Sequence, residues 1–323
     1  MIKVDCYSEF DQSEWCGIVK NLKGNALHLP DVWRPDFDQR NTWFLILRTE
    51  QDIVGACMAL CLEKKVLKLF KGSRTLYLPT IPAFIEENEK NAEDIYSSLL
   101  GFAKKSGFDY LSIGARWGSD LSCILDFGKY VDTRLTEFTI DLTGDLEAIM
   151  ASFHKKHRKN IRKAEEHGME IIEDNSLNGL MELHKLQESS SDRAASKGNI
   201  YKVQKKDFFI RAHENIYSKN IGSILFAKHE GKYISGLAYL RFNKRAITVR
   251  SGSLAEAYTL SAPYHVQWDL IRRLKNESFE VLNIGGVSGD AADPAHVQYG
   301  LYQFKKGFGS VENHRTGVTI PVK

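Results

Sequence analysis

The chain repeats itself at a spacing too long for a solenoid and right for a duplicated domain. From Trp43, WFLILRTEQDIVGACMALCL reads as strand, tight turn, strand, with Asp52-Ile53-Val54-Gly55 at the turn. From Ser223, SILFAKHEGKYISGLAYLRF repeats the pattern, with Tyr233-Ile234-Ser235-Gly236 in the same place, an offset of 181. A helix then runs into a strand in both halves, as IYSSLLGFAKKSGFDYLSIGAR and HVQWDLIRRLKNESFEVLNIGG. Phe108, Leu111, Ile113 and Gly114 align there with Phe279, Leu282, Ile284 and Gly285, an offset of 171. The two offsets differ by the length of an ordinary loop insertion.

Each half therefore reads as a helical lead-in, a β-hairpin, a third strand, a helix and a buried strand. Leu99, Leu100 and Phe102 supply an apolar helix face, with Lys104 and Lys105 pointing away. Mixed sheets covered by helices bury such elements, so the fold class is α/β, twice over. The strand EFTIDL ends at Leu142-Thr143-Gly144 and Asp145-Leu146-Glu147 opens a helix. That places the domains at 1–145 and 146–323.

A chain of 323 residues is long enough for two such domains. With 43% hydrophobic and 26% charged residues it is neither disordered nor collagen-like. No apolar run reaches membrane-spanning length, and MIKVDCYSEF lacks the apolar core of a secretory leader. The cysteines at 6, 16, 57, 61 and 123 are odd in number and form no C-x-x-C pair. Cys57 and Cys61 read as core, and a reducing cytoplasm suits the set better than a disulfide scaffold or zinc site. A net charge of only +3 means that any anionic partner must meet a local patch.

The densest such patch lies at 148–167. Lys155, Lys156, Arg158, Lys159, Arg162 and Lys163 are interleaved with His154 and His157. Helical spacing puts Lys155, Arg158, Lys159 and Arg162 on one face, with Phe153, Ile161 and Ala164 on the buried side and Gly168 as the stop. Charge alone fits a solvated helix face or a platform for phosphates.

The stretch GGVSGDAADPAHVQYGLYQFKKGFG, from Gly285, has neither the lysine–hydroxyl ending of a P-loop nor G-x-G-x-x-G opening a helix. Gly285, Gly286 and Gly289 read as a loop at the end of a buried strand, where φ is positive and where ligands of α/β sheets bind. Tyr302, Phe304 and Phe308 anchor the segment by packing. Lys305 and Lys306 sit between these aromatics, and such pairs are usually solvated.

Three elements together resemble the FemABX family of bacterial aminoacyltransferases, which add amino acids to the peptide of peptidoglycan precursors. They are RKNIRKAEEHG at the start of the second half, WDLIRRLKNESFEVLNIGG, and GLYQFKKGFG. In that family R-x-x-I-R-K-A-x-x-x-G begins the second of two acetyltransferase-like (GNAT-type) domains, and G-L-Y-x-F-K-x-x-F-G closes it. The closing motif falls on Gly300, Leu301, Tyr302, Phe304, Lys305, Phe308 and Gly309. The resemblance spans nearly all of 148–310 and implies tandem GNAT-like domains with mixed sheets. With no heptad run, this would be a compact member without the coiled-coil arm of larger relatives.

The resemblance implies an aminoacyl-tRNA donor, a nucleotide- or lipid-linked muropeptide acceptor and direct attack of an amine on the activated ester. No resident cofactor is called for. Lys305 would stabilise the oxyanion, usually the largest single contribution in such chemistry, with Phe304 lining the site. Arg158, Arg162 and Lys163 would meet donor phosphates. The region where the family carries an arginine–tyrosine pair for the precursor's diphosphate offers Lys202, Lys205, Phe208, Phe209 and Arg211, without R-x-x-x-Y. The family's N-terminal Q-x-x-x-W is replaced by LHLPDVWRP around Trp33. Tyr264 and Tyr302 join the substrate-binding set, Tyr264 fitting an acceptor wall and the core equally well.

Two other readings stand beside this one. An acyltransferase could take acyl-CoA or another thioester as donor, although the pyrophosphate loop Q/R-x-x-G-x-G/A is missing from both halves. A non-catalytic module could bind tRNA or a cell-wall precursor, against which the intact F-K-x-x-F-G argues. The lipid-linked acceptor would put the protein in the cytoplasm, beside the membrane. Oligomeric state is not written in the sequence.

Overall fold

A computed structural model describes residues 2–36, 42–64, 72–84, 89–117, 126–196, 198 and 202–322. Cys123 lies outside them. Spatial contacts divide the chain into two units, Met1–Leu135 with His314–Lys323, and Thr136–Asn313.

In the first unit β1 (Lys3–Tyr7), β2 (Thr42–Arg48), β3 (Ile53–Lys64), β4 (Ser73–Leu78) and β5 (Tyr110–Ile113) follow one another in the sheet. The first four pair antiparallel. The helix α3 (Glu89–Lys105) crosses over so that β4 and β5 run parallel. Two short helices, α1 (Gln12–Asn21) and α2 (Pro30–Trp33), form the lead-in. Leu45, Leu47, Leu76, Leu78, Leu111 and Ile113 from the sheet close on Tyr96 and Leu99 of α3, all fully buried, while Lys104 and Lys105 stay exposed. The last strand, β12 (Val311–Pro321), pairs antiparallel with β5 through Val318–Pro321. The chain's end thereby returns to the unit in which it began.

The second unit repeats the plan. From β6 (Val131–Asp141) it passes through α4 (Leu146–Ser152), α5 (Lys155–Glu166), β7 (Glu170–Glu173), α6 (Leu177–Ala195) and α7 (Lys206–Ala212). The hairpin β8 (Gly222–His229) and β9 (Lys232–Phe242) follows, then β10 (Arg245–Ser253), α8 (Ala255–Thr259), α9 (Ala262–Asn276), β11 (Val281–Ser288) and α10 (Tyr299–Lys306). The sheet order is β6-β11-β10-β9-β8-β7, with β10 and β11 parallel across α9. Its core gathers Phe138, Phe153, Leu225, Tyr239, Leu270, Ile284 and Phe308.

Three local expectations are corrected. The hairpin turns lie earlier than Gly55 and Gly236. In the first, Asp52 N donates to Thr49 Oγ1 at 3.1 Å. In the second, Glu230 and Gly231 take φ of 48° and 81°, the pair of positive values a two-residue hairpin loop favours. Gly55 and Gly236 stand inside strands, and a Cβ on Gly236 would come within 2.8 Å of the Phe226 ring. The repeated glycine thus marks close packing. Of Gly285, Gly286 and Gly289, only Gly285 has positive φ.

The basic run is two helices rather than one. Phe153 is extended, with φ −69° and ψ 146°, and drops into the core, so the helix breaks there. His154 caps α5, its Nδ1 accepting from Lys156 N at 3.3 Å. Ile161 and Ala164 are buried and Gly168 has φ of 64° just past the C-cap, as the spacing predicts.

Candidate functional site

Parallel pairing between β10 and β11 covers only Arg245↔Val281 to Ile247↔Asn283, although both strands run on. Just beyond, β10 shifts register against β9 between Thr248 and Arg250, the kind of irregularity that re-aims a strand. The first unit does otherwise. There the parallel pair extends to Leu78↔Ile113, and Gly114 N donates to Leu78 O at 2.8 Å. Gly114 is the repeat partner of Gly285, so the two strands are bonded in one half where they part in the other.

The parting exposes backbone, and Lys305 answers it. Gly285, at φ 79°, donates its N–H to Asn283 Oδ1 at 2.8 Å. A Cβ at this position would lie 3.2 Å from Thr248 O and 3.3 Å from Lys305 Nζ, so the bare glycine leaves room for the ammonium. Lys305 reaches in from α10 and donates to Ile284 O. Asn283 in turn donates Nδ2 to Glu137 Oε2 at 3.0 Å, and both residues are buried. Part of the Lys305 surface meets solvent, yet its ammonium is desolvated. That burial lowers its pKa to about 8, against the pull of the Glu137 carboxylate.

Aromatic rings cluster around the residue that precedes Lys305. Phe304, half-buried, meets Tyr264 with centroids 5.0 Å apart and Phe308 at 5.2 Å. Tyr264, at the start of α9, is half-buried, and burial raises its pKa. Tyr264 and Phe304 are therefore brought together, and Lys305 follows Phe304 in α10 with its ammonium on Ile284 O.

The basic helix divides its labour. Arg162 is exposed, as are Lys155, Lys156 and Lys159. Arg158 turns back, its Nη1 donating to Ala151 O at 3.0 Å and to Phe153 O, where α4 ends. It ties off carbonyls that a helix terminus leaves without partners. Lys163 donates to Thr259 O at 2.8 Å. Lys202 is exposed ahead of α7, Lys205 is its exposed N-cap, and Arg211 is exposed in its last turn. Phe208 and Phe209 are buried, and the Arg250 guanidinium stacks 4.2 Å above the Phe208 ring. Tyr302 is buried, its hydroxyl donating to Glu312 at 2.9 Å and accepting from Lys306 Nζ at 3.0 Å. Lys306 also pairs with Glu312 at 2.7 Å, and the bonds to Glu312 and Tyr302 raise its pKa. Of the adjacent lysines, one is a surface ion pair and the other the buried cation.

Sequence reasoning passed over His157. It is buried, and Nε2 donates to Phe304 O at 2.8 Å. Its ring faces Tyr264 at 4.9 Å and Phe308 at 4.8 Å. The spacing His157, Ile161, Ala164 already puts it on the buried face of α5. No group of three metal-ligating side chains gathers among the described residues, and no helix among them is long and apolar enough to cross a membrane.

The FemAB family model matches residues 182–323, from α6 through the Lys305 helix to the end. A UDP-N-acetylmuramoylpentapeptide-lysine N(6)-alanyltransferase of Weissella viridescens is 22% identical over 188 residues, which is 58% of this chain and 48% of that protein. The chain thus spans about half the length of this curated relative. A crystal structure of FemX superposes with a TM-score of 0.73 over 97% of this chain and 96% of its own, at 13% identity. A tandem GNAT protein from the clavulanic acid biosynthesis pathway gives 0.50 over 100% and 99%, at 12% identity. The fold is accordingly that of tandem GNAT-type domains, and residues 182–323, which carry Lys305, match the FemAB family.

Proposed function

We propose that this chain is an aminoacyltransferase. In this reading it moves an amino acid from aminoacyl-tRNA to an amine of a nucleotide- or lipid-linked peptidoglycan precursor by direct attack. The observation that carries the reading is Lys305, a desolvated ammonium held on Ile284 O where β10 and β11 part. The relative's activity, addition of alanine to a lysine side chain of a muramoyl pentapeptide, supplies the substrate class.

In the transfer, the acceptor nitrogen forms a bond to the ester carbonyl carbon and the carbonyl oxygen takes up negative charge. The ester C–O bond then breaks, the proton lost by the amine ending on the departing ribose oxygen. A cation fixed beside the developing oxyanion lowers this barrier without reorganising at the moment of reaction. With a pKa of about 8, Lys305 is still roughly nine-tenths charged at neutral pH. Its burial beside the Ile284 carbonyl strengthens its field. Holding both substrates together contributes much of the remainder. The exposed cations of α5 are suited to donor phosphates, and a cytoplasmic place next to the membrane suits a lipid-linked acceptor.

The test is a transfer assay with mixed radiolabelled aminoacyl-tRNAs and a nucleotide-linked muropeptide pool. Label should enter the peptide fraction with the wild-type chain and not with Lys305→Ala. Silence with aminoacyl-tRNA but transfer from acyl-CoA would replace the donor. Silence with both would leave a binding role.

A further inference from the structure

The last turn of α10 has carbonyls with no partner inside the helix. Gln303 O accepts from Gly307 N at 3.0 Å. Lys305 O accepts from Phe308 N at 3.2 Å and from Ser310 Oγ at 3.0 Å. Phe304 O, one residue before the ammonium-bearing lysine, takes the imidazole N–H of His157. A second bond lies beside it, His154 N donating to Gly307 O at 2.8 Å. The N-terminus of α5 is thus fastened to the C-terminus of α10 at two points.

The fastening leaves no slack. A Cβ on Gly307 would stand 2.0 Å from His157 Cε1, and one on Gly309 would stand 2.3 Å from Ser152 Oγ. Both glycines of the closing G-F-G admit the α4–α5 junction. Because a carbonyl only accepts, Nε2 carries the proton, and Nδ1 is a bare lone pair, buried and without a partner. Charging the ring would bury a second N–H with nothing to receive it. Burial accordingly lowers the His157 pKa and keeps the ring neutral. Nδ1 is closed to solvent, and the whole side chain is buried.

We propose that His157 is a positioning residue: by holding the Phe304 carbonyl it sets the pose of α10 and so keeps the Lys305 ammonium at the parted strands. The inference rests on Lys305 being the cation that meets the oxyanion. It adds that the helix presenting cations to solvent and the helix presenting the buried cation are pinned together by the His157 side chain beside the backbone bond of His154 to Gly307.

The test compares His157→Phe, which keeps the ring and loses the donor, with His157→Gln, whose amide nitrogen replaces Nε2. Lys305 is followed by NMR of ¹³C-methylated lysines, its signal assigned by its loss in Lys305→Met. Wild type and His157→Gln should titrate near 8, and His157→Phe should move towards the ordinary lysine range. In transfer, His157→Phe should lose about tenfold in kcat, the worth of one such bond, with both KM values little changed, and His157→Gln should recover it. A folded His157→Phe with Lys305 still near 8 would overturn the proposal. Should His157→Phe not fold, His157→Asn, whose amide stops short of the carbonyl, takes its place against His157→Gln. A wild-type chain with no transfer would fail the proposed function, and the Lys305 titration would still decide this inference.

Discussion

The imidazole of His157 occupies the space where a side chain on Gly307 would begin, 2.0 Å from the position of that Cβ. Gly307 has φ of −67°, which any residue adopts, so its identity is fixed by this neighbour and not by its backbone.

Gly307→Ala should therefore destabilise the second unit by about 2 kcal/mol, the usual cost of overpacking a close-packed site. Helix propensity alone would favour alanine there by up to about 1 kcal/mol, so the sign separates the two effects. In a His157→Ala background the same substitution should cost much less, a coupling that thermal or denaturant melts of the four proteins of this cycle would measure. Additive losses would mean that the two residues do not compete for space.

Gly285 makes a different case, because its φ of 79° and its contact with Lys305 both matter. Gly285→Ala brings about 1–2 kcal/mol of backbone strain and sets a methyl 3.3 Å from Nζ. Turnover should fall at least as much as stability suggests, since the ammonium must shift from Ile284 O. Full activity in a variant with a lowered melting temperature would detach Gly285 from the site.

How far the sequence foretold these contacts depended on range. The repeat disclosed hairpins, crossover helices and buried strands, because each is set by the period of its own apolar residues. The G-L-Y-x-F-K-x-x-F-G run led to Lys305. The break at Phe153 was hidden because the charges around it continue a helical pattern, while the pull that breaks the helix is the core beneath Phe153. The return of His314–Lys323 to the first unit rests on pairing Val318 with Ile113, a long-range match no local pattern reveals. Arg158 looked like its neighbours, and its tie to Ala151 O appears only once α4 has ended. His157 was masked by the lysines beside it although its spacing matched Ile161 and Ala164.

Because Arg158 is spent on carbonyls and Arg162 is exposed, replacing them should have unlike consequences. Arg158→Ala should lower stability by about 1 kcal/mol with little change in salt dependence. Lys155→Ala with Lys159→Ala and Arg162→Ala should leave the melt alone and raise the KM for aminoacyl-tRNA. The slope of log KM against log salt should flatten by roughly 0.7–0.9 for each phosphate contact removed. A change confined to the acceptor KM would assign the face to the other substrate.

Lys305 allows the sign of two pH effects to be worked out together. As the oxyanion's cation it must be charged, so kcat should fall as pH rises through about 8. Its removal in Lys305→Ala should cost on the order of a hundredfold at neutral pH. Stability runs the other way. Folding lowers the pKa from 10.5 to about 8, so below 8 the folded chain carries a charge it would sooner lose. From that shift the cost is of order 3 kcal/mol before the bond to Ile284 O offsets part of it. Between about 8 and 10.5 the unfolded chain binds the extra proton, so wild-type stability climbs relative to a variant lacking the group. Lys305→Met, similar in length and uncharged, should thus be inactive yet more stable than wild type at pH 7, with the gap closing towards pH 10.5. Denaturant melts across this range decide the matter. A Lys305→Met chain less stable than wild type at pH 7 would show that the ammonium stabilises the fold.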